Sequence, residues 1–168
     1  DIFAFGQLPD GRHYCVMEWL EGETLGDRLE RGMLSRAEAC TVLDEILAAL
    51  AAAHAKQIVH RDLKPDNVFL VRGERLRVKL LDFGIAKLVG TVSRSKTQTG
   101  NFIGTPHYVS PEQARGLAVD GRADIYSLGA MAFELFTGRL PFEAPSVVDV
   151  VSMHLHDEPP DLASLAPV

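Results

Sequence analysis

The run His60-Arg61-Asp62-Leu63-Lys64-Pro65-Asp66-Asn67, followed by Asp82-Phe83-Gly84, most limits what this chain can become. It gathers a proton acceptor, a cation and two oxygen donors in a fixed order. Asp62 is the expected acceptor, and Lys64, two residues on, can neutralise charge on a phosphate. Asn67 offers a neutral oxygen and Asp82 an anionic one, the hard donors that Mg2+ demands. This inventory suits phosphoryl transfer, in which catalysis is largely positioning plus charge neutralisation. Taken singly, each member is ordinary: a lone Asp near a helix end is a cap, and a lone Asn after Pro is a turn. The weight lies in the combination.

The rest of the chain gives that block a globular setting. At 168 residues it fits one domain with a real core, and 46% apolar with 24% charged residues is a globular composition. A net charge of -6 without a basic stripe argues against nucleic-acid binding. Cys15 and Cys40 form no C-x-x-C pair and read as two buried, reduced thiols rather than a disulfide. No segment has the apolar length of a membrane span, and the first residues do not resemble a signal peptide. Ile46 to Ala53, the richest stretch, is Ala-heavy and flanked by charge, as in a buried helix. The chain begins with Asp1 rather than Met, which suggests a piece of something longer.

Periodicity and turn chemistry place the elements. Ile2 to Phe5 and His13 to Glu18 are apolar runs bridged by Leu8-Pro9-Asp10-Gly11-Arg12, a hairpin signal. Glu21-Gly22 then breaks the strand, and Thr24 to Arg31 suits a short helix. Ser35-Arg36-Ala37-Glu38 is a capping box that opens a helix to about Lys56. Ala39, Val42, Leu43, Ile46, Leu47 and Leu50 form its apolar face. Val68 to Val71 and Leu76 to Leu81 read as a second hairpin through Arg72-Gly73-Glu74. The stretch from Asp82 to Glu112 has little periodicity and is rich in Ser, Thr and Gly, as in a functional loop. Asp124 to Phe136 is apolar on almost every side and predicts a central, buried helix, closed by Thr137-Gly138. Pro145 can open a last helix to about His156, which Pro159-Pro160 stops.

The eight-residue block with Asp-Phe-Gly downstream resembles the catalytic core of eukaryotic-type Ser/Thr protein kinases, in particular bacterial members. Gly104-Thr105-Pro106-His107-Tyr108-Val109-Ser110-Pro111-Glu112 resembles the end of their activation segment, with Ser110 where the family usually has Ala. The resemblance implies an α+β kinase-like fold, with a mainly helical large lobe and small β-hairpins. Residues 1–22 would be the last small-lobe strands and the hinge, and 23–168 an incomplete large lobe. It implies ATP and Mg2+ as cofactors, with Asn67 and Asp82 as metal ligands and Asp62, Lys64 and Asn67 as the catalytic set. Val16-Met17-Glu18-Trp19-Leu20 resembles the hinge: Met17 would guard the pocket, Glu18 and Leu20 would bond adenine through their backbone, and Phe69 would floor the ring. Lys64, Asp66, Asn67 and Asp82 complete the expected nucleotide site.

The resemblance also assigns supporting roles. His60 would pack against Phe83, and Gly84 would permit the turn after it. Arg61 resembles the subclass controlled by activation-loop phosphorylation, its guanidinium awaiting a phosphate. Thr91, Ser93, Ser95, Thr97 and Thr99 are candidate acceptors, with Thr97 and Thr99 preferred. Thr105 would bond Asp62 and Lys64, favouring Ser or Thr over Tyr as substrate. Asp124 would hold the catalytic-loop backbone and also cap its helix. Glu112 would pair with an Arg that this chain does not contain.

The family's G-x-G-x-x-G loop, V-A-I-K lysine and partner glutamate are absent from these 168 residues, and Lys56, Lys64 and Lys79 lie past the hinge. The isolated polypeptide is therefore expected to bind MgATP weakly, to transfer phosphate poorly, and to aggregate through an exposed sheet edge. Expected partners are proteins bearing Ser or Thr, with self-association for autophosphorylation, in the cytoplasm or tethered there by a segment outside this one. Two other readings stand: a pseudokinase-like regulatory binding module, and a small-molecule phosphotransferase. The retained Asp62 and Asp82 oppose the first, and Ser110-Pro111-Glu112 opposes the second.

Overall fold

Ser35 starts the longest helix by closing its first turn from both directions. Its Oγ accepts from the Glu38 backbone N–H at 3.3 Å, while Glu38 Oε2 accepts from the Ser35 N–H at 2.8 Å. The computed structural model describes residues 2–73, 75–83 and 106–162. The expectations placed on Gly84, Thr91, Ser93, Ser95, Thr97, Thr99, Gly104 and Thr105 lie outside them.

The order of elements begins with strands β1 (Ile2–Gln7), β2 (His13–Met17) and β3 (Gly22–Thr24), then helices α1 (Leu25–Glu30) and α2 (Arg36–His54). A 3-10 turn at Pro65–Asn67 leads into β4 (Val68–Val71) and β5 (Arg77–Leu80). After a second 3-10 turn (Pro106–Tyr108) come α3 (Pro111–Ala114), α4 (Gly121–Thr137) and α5 (Val147–His156).

Along α2 the buried stripe is Ala39, Val42, Ile46 and Leu50. Leu43 is half-buried and Leu47 is 44% exposed, because each lies one residue, about 100° of helix, past a buried position. The stripe packs between β5 and α4 and joins Leu25, Leu63, Val68, Met131 and Leu135 in one core. Each fully buried Val, Leu or Ile there contributes about 1.5–3 kcal/mol. The helix ends at His54 rather than Lys56, and the chain leaves it through Gln57 at φ 60°.

Two antiparallel sheets form, β1-β2 and β3-β4-β5. The first is the expected hairpin, and its turn closes through Leu8 N–H to Arg12 O at 2.8 Å. In the second, Gly22 pairs with Val71 and Thr24 with Phe69, so the expected break at Glu21-Gly22 is instead the entry to a strand. Gly22 has φ 150°, and a Cβ there would lie 2.0 Å from Leu70 O, so a side chain would break this pairing.

Further corrections concern helix starts and the cysteines. Asp120, not Asp124, caps α4, accepting from the Arg122 N–H at 2.9 Å; the helix opens at Gly121, placing Asp124 one turn inside. Ile125 is half-exposed, so burial of α4 is not all-round. Gly138, at φ 69°, ends it as expected. Ser146, not Pro145, opens α5, with its side chain accepting from Val148 N. Both cysteines are free, but neither is buried. Cys40 is exposed because it lies one residue past Ala39, off the buried stripe, and Cys15 is only half-buried on a hairpin with exposed Phe3, Phe5, Tyr14 and Val16.

Candidate active site

The loop that carries the block is shaped by a buried carboxylate from α4. Asp124 is 1% exposed and accepts from the backbone N–H groups of His60 at 2.9 Å and Arg61 at 2.8 Å. His54 Nε2, from the end of α2, lies 2.7 Å from Asp124 Oδ2. With its N–H fixed there, Arg61 adopts φ 68°, a left-handed conformation uncommon for a non-glycine residue. This bend turns the chain abruptly just before Asp62.

His60 ties the loop to the strand beyond it. Its Nδ1 accepts from the Asp62 N–H at 3.4 Å, which leaves the proton on Nε2 to donate to Leu81 O at 2.8 Å. That pairing needs a neutral ring, and burial holds the His60 pKa below the ordinary histidine value. The Phe83 ring lies 4.8 Å from the imidazole at 52°.

Three of the expected site residues converge. Asn67 Nδ2 donates to the Asp62 carbonyl at 2.7 Å and to Asp62 Oδ2 at 3.0 Å, and Lys64 Nζ stands 3.7 Å from the same oxygen. With both amide hydrogens engaged, Asn67 Oδ1 is left as an acceptor. The β4–β5 hairpin returns the chain so that Leu81 N–H bonds Asn67 O at 2.8 Å, and this brings Asp82 to the same end of the sheet. Asp82 has φ 54°. Asp66 turns elsewhere, toward α1, where a Cβ at Gly26 would come within 3.2 Å of its Oδ1.

Asp82 and Phe83 also line a cleft of about 470 Å3 with Ile2, Met17, Glu18, Leu20, Lys79, Leu80 and Leu81. Met17, Glu18 and Leu20 thus meet Asp82 at one cavity. Phe69, expected beneath the ring, is not in its lining; Leu80 is. Lys79 Nζ donates to Glu18 Oε2 at 2.5 Å, and this bond pulls the Glu18 carboxyl down to about 2. Trp19, between Glu18 and Leu20, is 88% exposed.

The segment 106–114 packs against the loop from the other side. Tyr108 OH donates to Glu134 Oε2 at 2.6 Å, and its carbonyl accepts from Ser127 Oγ at 2.7 Å. Gln113 Nε2 donates to Arg61 O at 2.6 Å. Among the described residues Glu112 forms no ion pair. Sequence reasoning missed the contributions of His54, Lys79 and Gln113. Each acts through a partner far along the chain, so that even Gln113, directly after Ser110-Pro111-Glu112, and Lys79, three residues before Asp82, carried no sign of the bond they make.

The order of groups, the pinned loop and the cleft all agree with one family, whose protein kinase domain model matches residues 5–161. The chain belongs to the protein kinase family. Serine/threonine-protein kinase pkn2 of Myxococcus xanthus is 46% identical over 171 residues, covering 99% of this chain and 20% of that protein. Serine/threonine-protein kinase PrkC of Bacillus subtilis is 43% identical over 160 residues (95% and 24%). Serine/threonine-protein kinase PknB of Mycobacterium tuberculosis is 41% identical over 155 residues (92% and 24%). This kinase chain therefore spans only about a fifth to a quarter of the length of these three relatives. No helix among its described residues is long and apolar enough to cross a membrane.

The chemistry of the donors fits a magnesium nucleotide. Asn67 Oδ1 and the Asp82 carboxylate offer hard oxygen donors of the kind that Mg2+ prefers. Among the described residues no group of three or more His, Cys, Asp or Glu could hold a metal unaided.

Proposed function

We propose that this chain is the substrate-facing part of a protein kinase that transfers the γ-phosphoryl group of ATP to Ser or Thr hydroxyls of proteins. The observation that carries this reading is the cluster of Asp62, Lys64 and Asn67 on a loop held by Asp124. Asp62 accepts the hydroxyl proton as the substrate oxygen forms its bond to the γ-phosphorus. The bond from that phosphorus to the bridging oxygen breaks, and ADP leaves. Lys64 neutralises charge on the transferring group. Asn67 serves twice: its Nδ2 aims the Asp62 carboxylate, and its Oδ1 would hold Mg2+ together with Asp82. Bound there, the ion would offset phosphate charge.

Met17, Glu18 and Leu20 are the proposed adenine contacts, with Leu80 rather than Phe69 lining the cleft beside them and Asp66 at the margin of the site. Residues 1–22 are taken as the last small-lobe strands and hinge, and 23–168 as the large lobe. Arg61, exposed beside Asp62, is the proposed partner of a phosphate carried by residues 84–105, with Thr97 or Thr99 as acceptor. The chain alone, lacking the glycine-rich loop and its lysine, is proposed to bind MgATP weakly. The pseudokinase-like alternative predicts nucleotide binding without transfer.

The test is phosphate incorporation from labelled ATP into a Ser/Thr peptide by the full-length protein and its Asp62→Asn variant. Loss of about a thousandfold or more in kcat with retained nucleotide binding is expected. Equal incorporation by both would overturn the assignment.

A further inference from the structure

Gln113 reaches 52 positions back along the sequence to hold the carbonyl of Arg61, the residue directly before Asp62. Its amide is a two-ended clip. Oε1 accepts from the Ser110 N–H at 3.3 Å and from Ser110 Oγ at 3.1 Å, while the Gln113 backbone N–H donates to Ser110 Oγ at 3.4 Å. Nε2 at the other end donates to Arg61 O at 2.6 Å. The amide cannot be reversed: the opposite orientation would set donor against donor at the Ser110 N–H and acceptor against acceptor at Arg61.

Arg61 is thereby gripped at both ends. Asp124 on α4 takes its N–H at 2.8 Å, and Gln113 on α3 takes its carbonyl. Between these grips the residue is held at φ 68°, and the peptide that follows determines where the Asp62 carboxylate points. A capping interaction explains one end of the Gln113 side chain. It leaves the other unexplained, because a capping box is complete once Ser110 is satisfied.

We propose that Gln113 is a positioning residue for Asp62, its amide fixing the 61–62 peptide and so coupling the folded state of α3 to the aim of the carboxylate. This rests on the phosphoryl-transfer reading above. Gln113→Glu separates the two ends of the clip. Glutamate at this helix position is a good capping-box residue and keeps an acceptor for Ser110. It removes the only donor to Arg61 O among the described residues and sets an oxygen against it.

The experiment measures kcat, KM for MgATP and thermal midpoint for wild-type and Gln113→Glu full-length protein, with backbone amide NMR at Arg61 and Asp62. The expected result is a midpoint within about 3 °C of wild type, an unchanged KM, and kcat lower by about tenfold or more. The Arg61 and Asp62 resonances should shift together. An Asp62-dependent wild-type activity with kcat of the variant within about twofold would overturn the proposal. A midpoint lowered in parallel with kcat would also overturn it, by reducing Gln113 to a cap. Shifted resonances in a protein that transfers no phosphate would instead refute the transfer reading and leave the clip standing.

Discussion

Replacing Asp124 tests whether one buried carboxylate shapes the loop before Asp62. Asp124→Ala withdraws the acceptor from three donors: the His60 N–H, the Arg61 N–H and His54 Nε2. These losses are unequal. His60 is fully buried, so its N–H would be stranded at a cost of about 2 kcal/mol, whereas exposed Arg61 lets water reach its N–H and loses about 1 kcal/mol. The His54 bond adds about 1 kcal/mol, for a total near 4 kcal/mol. That is a large part of the roughly 5–15 kcal/mol expected for a domain. Asp124→Asn keeps the shape and one acceptor but points an NH2 at a donor, for a loss of about 2–3 kcal/mol. His54→Ala leaves both backbone bonds intact and should lose only about 1 kcal/mol. Urea unfolding followed by far-UV circular dichroism measures all three, since the single tryptophan, Trp19, is too exposed to report on the core. Both Asp124 variants within about 1 kcal/mol of wild type would refute the reasoning, as would His54→Ala matching Asp124→Ala.

Acidification should weaken the fold through His60 and His154, both held below the ordinary 6.5 by burial. A depressed histidine favours its neutral form in the fold, so its contribution is complete above about pH 6.5 and declines below that as the unfolded chain takes up protons first. Urea unfolding from about pH 7.5 to about 5.5 should show falling stability, with a shallower slope in His154→Phe; a flat profile, or an unchanged slope in that variant, would contradict this. Gly121→Ala should destabilise by about 1–2 kcal/mol despite better helix propensity. A Cβ there would meet the His54 ring at 2.8 Å and push it off Asp124, so a raised melting temperature would count against the clash.

Patterns local in sequence were legible and distant pairings were not. The Ser35–Glu38 box, the Gly138 stop and the two hairpins rest on residues within a few positions of one another, and the fold contains all of them. Gly22–Thr24 was hidden because a three-residue strand exists only through its pairing to Val71–Phe69. Asp120 and Asp124 are equally good caps by composition. Only the fold shows that the first closes the helix while the second faces His60 and Arg61. At the site the order of Asp62, Lys64 and Asn67 announced their convergence. Gln113 fits a capping box with Ser110, but its bond to Arg61 gave no signal, because that partner is a backbone carbonyl, and a carbonyl leaves no trace in the sequence.

Two residues of the site, Arg61 and Asp82, sit at positive φ without being glycine. Left-handed backbone is uncommon for a residue such as Arg and only somewhat more accessible to Asp, so local preference alone sets neither dihedral. Both depend on packing that arrives from elsewhere: α4 and α3 for Arg61, and the second sheet for Asp82. The site is thus the most borrowed part of the fold. On gentle heating it should let go first, with the helices that supply its grips still intact, so that loss of its geometry is an early alarm of unfolding and not its consequence.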